Sequence, residues 1–344
     1  MFRGLSVAFF VCLLRNSGVA QLTFDNTNAS PSNNANNCRC LSASQCSSTN
    51  PADPAIDIRI VNPGANNCNS GQVYCCPGSS SGNGDTQSCG IRKISLSSHP
   101  QGQASYGAYP WQAVLLNSNN GYVGSGVLIT PNHVLTVAHK VSSYTTGGLK
   151  VRLGDWNAQT TNELYPSREY TVQRISIHPQ YNSANLQNDV AVITLSGTVP
   201  ISTSPNINTA CLPTAQPASG TRCWVSGWGK DEFGTSGQYQ SIMKEVDVPI
   251  VDQTVCENDL RTTRLGQSFV LNRNSFLCAG GEQNKDACTG DGGSPLVCQS
   301  GNAQWQVVGM VSWGIGCASR NVPGVYVNVY NYVPWISQQT TQSK

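Results

Sequence analysis

Apolar and polar positions alternate in short blocks along most of the chain, and their spacing predicts strands rather than helices. Residues 112–116 and 122–129 are apolar runs on either side of Asn120-Gly121, a pair suited to a tight hairpin. Residues 190–195, 305–312 and 324–329 also read as strands. Only the tail after Pro334 predicts a helix, with the proline in its first turn. Many short strands over about 250 residues predict an all-β barrel or sandwich domain. No internal repeat of fixed period is present.

The first part of the chain has a different texture. A short cationic start ending at Arg3, an apolar run over residues 4–14 and the small-residue pattern Gly18-Val19-Ala20 predict a signal peptide over residues 1–20. That run falls short of the ~20 apolar residues a membrane span needs, so a secreted, soluble mature chain is expected. Residues 21–37 form a polar, Asn-rich spacer, where Asn28-Ala29-Ser30, followed by Pro31, is a candidate glycosylation site at Asn28. Residues 38–76 carry six cysteines in 39 positions with few large apolar residues, a pattern of staples in place of a core. Zinc ligation is the other reading, and the adjacent Cys75-Cys76 pair speaks against it. Residues 77–88 are a Gly/Ser linker, and residues 89–344 hold the strand pattern.

Charge and cysteine count narrow the function classes. Loss of residues 1–20 removes Arg3 and Arg15, taking Lys+Arg from 20 to 18 against 18 Asp+Glu, a net charge of zero. Neither a nucleic-acid reader nor a polybasic membrane binder is expected from that balance. Cys12 leaves as well, so fifteen cysteines become fourteen, consistent with seven disulfides in an oxidising compartment or with some free thiols.

Three segments bear on chemistry. Leu135-Thr-Val-Ala-His139 places a histidine after an apolar strand, and Asp189 opens the run Asp-Val-Ala-Val-Ile-Thr-Leu195. Cys288-Thr-Gly290-Asp291-Gly292-Gly293-Ser294-Pro295 is a Gly-rich loop. Singly, each is as readily structural as functional. In this order, with Pro110-Trp111-Gln112, Cys211-Leu-Pro213, Gly227-Trp228-Gly229, Ser312-Trp313-Gly314 and Pro323-Gly324-Val325-Tyr326, the region from Cys89 onward resembles the trypsin-like serine proteases. The resemblance implies a chymotrypsin-like double β-barrel with a C-terminal helix. It also implies a site in which an aspartate orients a histidine that takes a proton from a serine nucleophile.

His139 and Asp189 fall on the base and its orienting acid, but the nucleophile position is Gly292, where the family pattern reads Gly-Asp-Ser-Gly-Gly-Pro. The resemblance therefore implies a pseudo-protease, with a substitute nucleophile at Ser294, two residues farther on, as the alternative. The family's Cys after the histidine and its partner are here Lys140 and Gly124, lost together. The remaining pairs implied are Cys89–Cys211, Cys223–Cys298, Cys256–Cys278 and Cys288–Cys317. Asp286 falls on an acidic pocket floor, Gly314 and Gly324 on the pocket walls, and Gly290 on a backbone donor of the oxyanion site. Inheritance of this pocket without use stands beside occupation by a partner's basic residue.

The six upstream cysteines resemble a clip domain of the non-catalytic branch of arthropod cascade proteases, implying Cys38–Cys75, Cys40–Cys68 and Cys46–Cys76. The expected role is that of a cofactor or regulator in prophenoloxidase activation, melanisation and innate immunity, located in haemolymph, with clip-domain proteases and prophenoloxidase as partners. An adhesin or pattern-recognition protein holding microbial surfaces is the rival reading. The usual Ile-Val-Gly-Gly start is absent, and Arg92-Lys93-Ile94 offers cleavage after Arg92 or Lys93. No cofactor is expected, although Asp155, Glu163 and Glu169 lie where the family holds calcium; solvated carboxylates are the plainer reading.

Overall fold

The computed structural model describes residues 39–42, 72–75, 88–160, 162–229, 239–283, 291–301, 303–316 and 319–341. The chain divides into two compact units, residues 1–84 and 85–344. In the first, β1 (Arg39–Ser42) pairs antiparallel with β2 (Gln72–Cys75), in the register Arg39 to Cys75.

The second unit contains two closed barrels of six strands. Barrel one consists of β3 (Gln112–Asn117), β4 (Tyr122–Thr130), β5 (His133–Thr136), β6 (Leu149–Leu153), β7 (Arg168–Ile177) and β8 (Ala191–Leu195), in spatial order β3-β4-β5-β8-β7-β6. Barrel two consists of β9 (Arg222–Gly227), β10 (Lys244–Val251), β11 (Phe276–Gly280), β12 (Pro295–Gln299), β13 (Trp305–Trp313) and β14 (Pro323–Asn328), in spatial order β10-β11-β14-β13-β12-β9. Closure pairs every strand on both sides, leaving no edge for another chain to join. Barrel one is filled by Leu115, Leu128, Val151, Leu153, Ile193 and their neighbours, and barrel two by Val225, Val248, Leu296 and Tyr326. A third apolar cluster contains Trp111, Val192, Trp228, Trp305 and Met310, drawn from strands and loops of both barrels.

The helices are short: α1 (Ala138–Val141), α2 (Gln253–Arg261) and α3 (Val329–Thr341). Asp252 caps α2 by accepting from Thr254 N–H and Val255 N–H. The tail helix starts earlier than the sequence pattern predicts, at Val329, so that Pro334 lies inside it. Burial decides this, because Val329, Tyr332 and Ile336 fall at helical spacing on the face against the core. The hairpin also differs in detail. Asn120 takes the expected positive φ of 64°, but the closing contacts come from Asn117, whose backbone and side chain bond Gly121 and bridge a longer loop.

Among the described residues three disulfides tie the second unit: Cys89–Cys211, Cys223–Cys298 and Cys256–Cys278. The pairs Cys288–Cys317, Cys38–Cys75, Cys40–Cys68 and Cys46–Cys76, and Asn28, rest on residues outside the described set. Among the described residues no helix is long and apolar enough to cross a membrane.

Candidate functional site

Register alone brings the histidine and the aspartate together. Thr136, at the end of β5, pairs with Ala191, at the start of β8, so the residues just beyond each end must meet. His139 stands in α1 immediately after β5, and Asp189 precedes β8 on a turn where Asn188 takes φ 56°. Asn188 is held by Tyr332 Oη, which donates to its side-chain carbonyl at 2.9 Å, and by its own donation to Gln180 O.

Asp189 is fully buried and accepts three hydrogen bonds. His139 N–H donates to Oδ1 at 2.8 Å, His139 Nδ1–H to Oδ2 at 2.7 Å, and Ser312 Oγ–H to Oδ2 at 2.7 Å. Ser312 belongs to β13 of the other barrel, so this carboxylate joins the two halves of the fold. Sequence reading named the Ser312-Trp313-Gly314 segment without assigning this bond.

Gly292 faces the pair. Its carbonyl accepts from Ser125 N–H of β4 at 3.1 Å, and a Cβ placed on it would lie 3.2 Å from His139 Nε2. No hydroxyl stands there. In its place comes Lys140: the same Cβ would collide with Lys140 Cε and would lie 3.3 Å from Lys140 Nζ. Room for this side chain comes from Gly124, where a Cβ would sit 3.2 Å from Lys140 Cγ and Cδ and 2.9 Å from Gly292 O. The two positions that sequence reading found lost together thus fit one another: a glycine makes the channel and a lysine fills it. Burial pushes the Lys140 ammonium below its ordinary pKa, opposed by the charges of Asp291 and Asp189.

The neighbouring turn is tightly held. Gly293 takes φ +84°, with Ser125 O and Thr136 Oγ1 where a Cβ would go, so only glycine fits. Gly293 N–H donates to Val311 O, Ser294 N–H to Asp291 O, and Gly229 N–H to Asp291 Oδ1. Ser294 is fully buried, and its Oγ has no hydrogen-bond partner among the described residues; it lies 2.8 Å from the site of a Cβ on Gly227. A hydroxyl enclosed there is not presented to solvent. Among the described residues only Gly316 O comes within reach of a Cβ on Gly314, and Gly324 pairs with Ala279 across β14 and β11. Asp286 and Gly290 lie outside the described residues.

The carboxylates considered for calcium are taken by other partners. Glu169 is bonded by Lys150 Nζ at 2.8 Å and by Arg152, which hold it below the usual carboxylate range. Asp155 accepts from Arg152 at 3.0 Å, while Glu163 accepts Trp156 N–H and Asn157 N–H and is pushed up by burial. Asp155, Glu163 and Glu169 thus each have partners within the chain, and among the described residues no group of three or more possible metal ligands occurs. Addition of calcium or EDTA is expected to leave the thermal midpoint unchanged; a calcium-dependent rise would refute this reading.

The side chains of Arg92 and Lys93 are anchored to the body of the domain. Arg92 Nε donates to Ala108 O at 2.7 Å, and its guanidinium lies 4.2 Å from the Trp305 ring centroid. Lys93 Nζ donates to Ile201 O and Ser204 O, each at 2.6 Å, and Ile94 packs against Gly107. Exposure begins only at residues 95–98.

Burial lowers the Lys93 pKa to about 8, below its unfolded value of 10.5. Between these values the unfolded chain holds the extra proton, so native stability rises with pH through this window and is flat below it. A neutral amine still has hydrogens for both carbonyls. Urea midpoints of wild type and Lys93→Met, compared at pH 7 and pH 10, should show wild type gaining on the variant at the higher pH; a loss would contradict the assignment.

Residues 100–336 match the trypsin family model. Among similar proteins, "Inactive CLIP domain-containing serine protease A3" of Aedes aegypti is 50% identical, over 87% of this chain and 66% of its own length. "Phenoloxidase-activating factor 2" of Galleria mellonella is 45% identical, over 69% of this chain and 82% of its own. "Serine protease 1" of Homo sapiens is 38% identical, over 66% of this chain and 83% of its own. With the trypsin pattern running through both barrels and half its aligned positions shared with an inactive clip-domain protease, the chain belongs to the trypsin family, as a non-catalytic clip-domain serine protease homologue.

Proposed function

We propose that the protein is secreted and serves as a non-cutting partner in an extracellular protease cascade, assisting prophenoloxidase activation by a clip-domain protease. One observation carries the reading: Gly292 and the end of Lys140 stand where a nucleophile facing His139 would be, so the cleft can recognise a chain without forming an acyl-enzyme. The name of the Galleria relative supports the direction of the role. In this reading residues 1–20 are removed on secretion, 38–76 form the clip module, 77–88 are the linker and 89–344 the recognition domain.

Regulation by a cut after Arg92 or Lys93 belongs to the same proposal. Such a cut first requires release of the contacts to Trp305, Ala108, Ile201 and Ser204. The disulfide Cys89–Cys211 would then keep the two pieces joined.

Reconstitution tests the role. Prophenoloxidase and an activating clip protease are mixed with and without the protein, before and after its exposure to that protease. Phenoloxidase activity that rises with the cleaved protein supports the proposal. No effect on activation, with retention on microbial polymer instead, would replace it by the adhesin reading.

A further inference from the structure

Between Arg59 and Lys140 the chain has no lysine or arginine except Arg92 and Lys93. Both are held: Arg92 by Ala108 O and the Tyr109 and Trp305 rings, Lys93 by Ile201 O and Ser204 O. A protease that cuts after basic residues must enclose that side chain in its own acidic pocket, so the anchors must open first. Residues 95–98 differ. They are exposed and lie in neither helix nor strand. Among the described residues their backbone is bonded only at Ser97 O, which accepts from Ser105 Oγ–H. An extended peptide docks through main-chain hydrogen bonds, and this segment has nearly all of its own to offer. Leu96 is its one large side chain and is 45% exposed.

Four large apolar side chains among the described residues are more exposed, and each sits in bonded backbone. Leu164 precedes Tyr165, whose N–H and C=O both bond Tyr106 Oη. Val270 lies between Phe269 O, bonded by Arg261, and Leu271 N–H, bonded to Glu257. Tyr239 precedes Gln240, whose N–H donates to Trp228 O, and Val255 belongs to α2.

We propose that the Leu96–Ser97 bond is a cleavage site for a protease of chymotrypsin-like specificity, whose pocket takes an apolar side chain. The site goes beyond the cascade reading and does not depend on it. In the cut, the amide bond between the Leu96 carbonyl carbon and the Ser97 nitrogen breaks and one water adds. A carboxylate is left on Leu96 and an ammonium on Ser97. The cut falls on the barrel side of Arg92 and Lys93, so their anchors stay with the upstream piece. The disulfide Cys89–Cys211 also retains that piece. The new end is Ser97, with Ile94 left upstream against Gly107. It differs from any end that a protease specific for basic residues makes in this segment.

Limited digestion of the full-length protein by chymotrypsin and by trypsin, at matched activity, tests this. Fragments are separated on reducing gels and their first residues sequenced. Chymotrypsin should produce a chain beginning at Ser97. That chain should form at least about tenfold faster than trypsin forms chains beginning at Lys93 or Ile94, since the tryptic cut draws on the minor population with open anchors. Leu96→Asp should slow the chymotryptic cut at least about tenfold, because an apolar pocket rejects a carboxylate. Leu96→Arg separates access from pocket chemistry: trypsin should now cut at this bond, ahead of Arg92 and Lys93. Leu96 is exposed, so both variants should keep the wild-type thermal midpoint. No chain beginning at Ser97, or one formed no faster than the tryptic chains, overturns the proposal. So does an undiminished cut in Leu96→Asp, or a Leu96→Arg protein that trypsin leaves whole at this bond.

Discussion

Gly292→Ser is expected to fold and yet to gain no turnover on arginyl anilides, either before or after treatment with a clip protease. The new Cβ would displace the tip of Lys140, which is flexible, so the cost in stability should stay within about 1 kcal/mol, the low end for overpacking. Chemistry is a stricter requirement. A nucleophile oxygen needs a base within about 3 Å, and an ammonium held beside His139 opposes the imidazolium that forms as the proton is taken. Ile94, which would begin the chain after a cut at Lys93, is packed against Gly107. Adding Lys140→Ala opens the space beside His139, so any gain should appear only in the double variant. Turnover of an ordinary trypsin-like enzyme in the single variant would show that Lys140 is no obstacle.

Asp189→Ala should be the most destabilising change in the site. It strips the acceptor from His139 N–H, His139 Nδ1–H and Ser312 Oγ–H at a fully buried position. Each buried donor left unpaired costs about 1–3 kcal/mol, and these costs do not add fully; a total of about 3 kcal/mol is expected. At about 2–4 °C per kcal/mol, the thermal midpoint should fall by about 6–12 °C. Asp189→Asn should fall less, since its carbonyl can still accept. A midpoint within about 1 °C of wild type for Asp189→Ala would mean that the pair is not a structural joint between the barrels. In a protein that does not cut, such a joint gives the His–Asp geometry a physical reason to persist.

Most of the architecture follows from short-range pattern. The runs that became β3, β4, β8, β13 and β14 are apolar, bounded by turn residues, and fall at strand length. Fainter strands such as β7 escape that pattern because half-exposed positions interrupt the apolar ones. The start of α3 escapes it too, since Val329 reads equally well as strand until its burial beside Tyr332 and Ile336 is known.

At the site, motif order located His139, Asp189 and Gly292, and register explains why the first two touch. The position of Lys140 was not legible, because a lysine after a histidine says nothing about direction until Gly124 is seen to leave a channel. Arg92 and Lys93 look like an exposed basic pair in one dimension. Their anchors, Trp305, Ile201 and Ser204, lie more than a hundred residues away in the chain. The basic partners of Glu169 and Asp155 in the acidic loop, Lys150 and Arg152, likewise come from another element, the adjoining strand β6.

The central claim, that this barrel recognises without cutting, is tested most directly by intact-mass analysis after exposure to a fluorophosphonate probe. The protein is treated with a clip protease, incubated with excess probe and weighed beside an active trypsin-like enzyme. No adduct is expected, because Gly292 has no hydroxyl and that of Ser294 is enclosed away from solvent. A stoichiometric adduct on Ser294 would contradict the account, for it would show a working nucleophile in the loop.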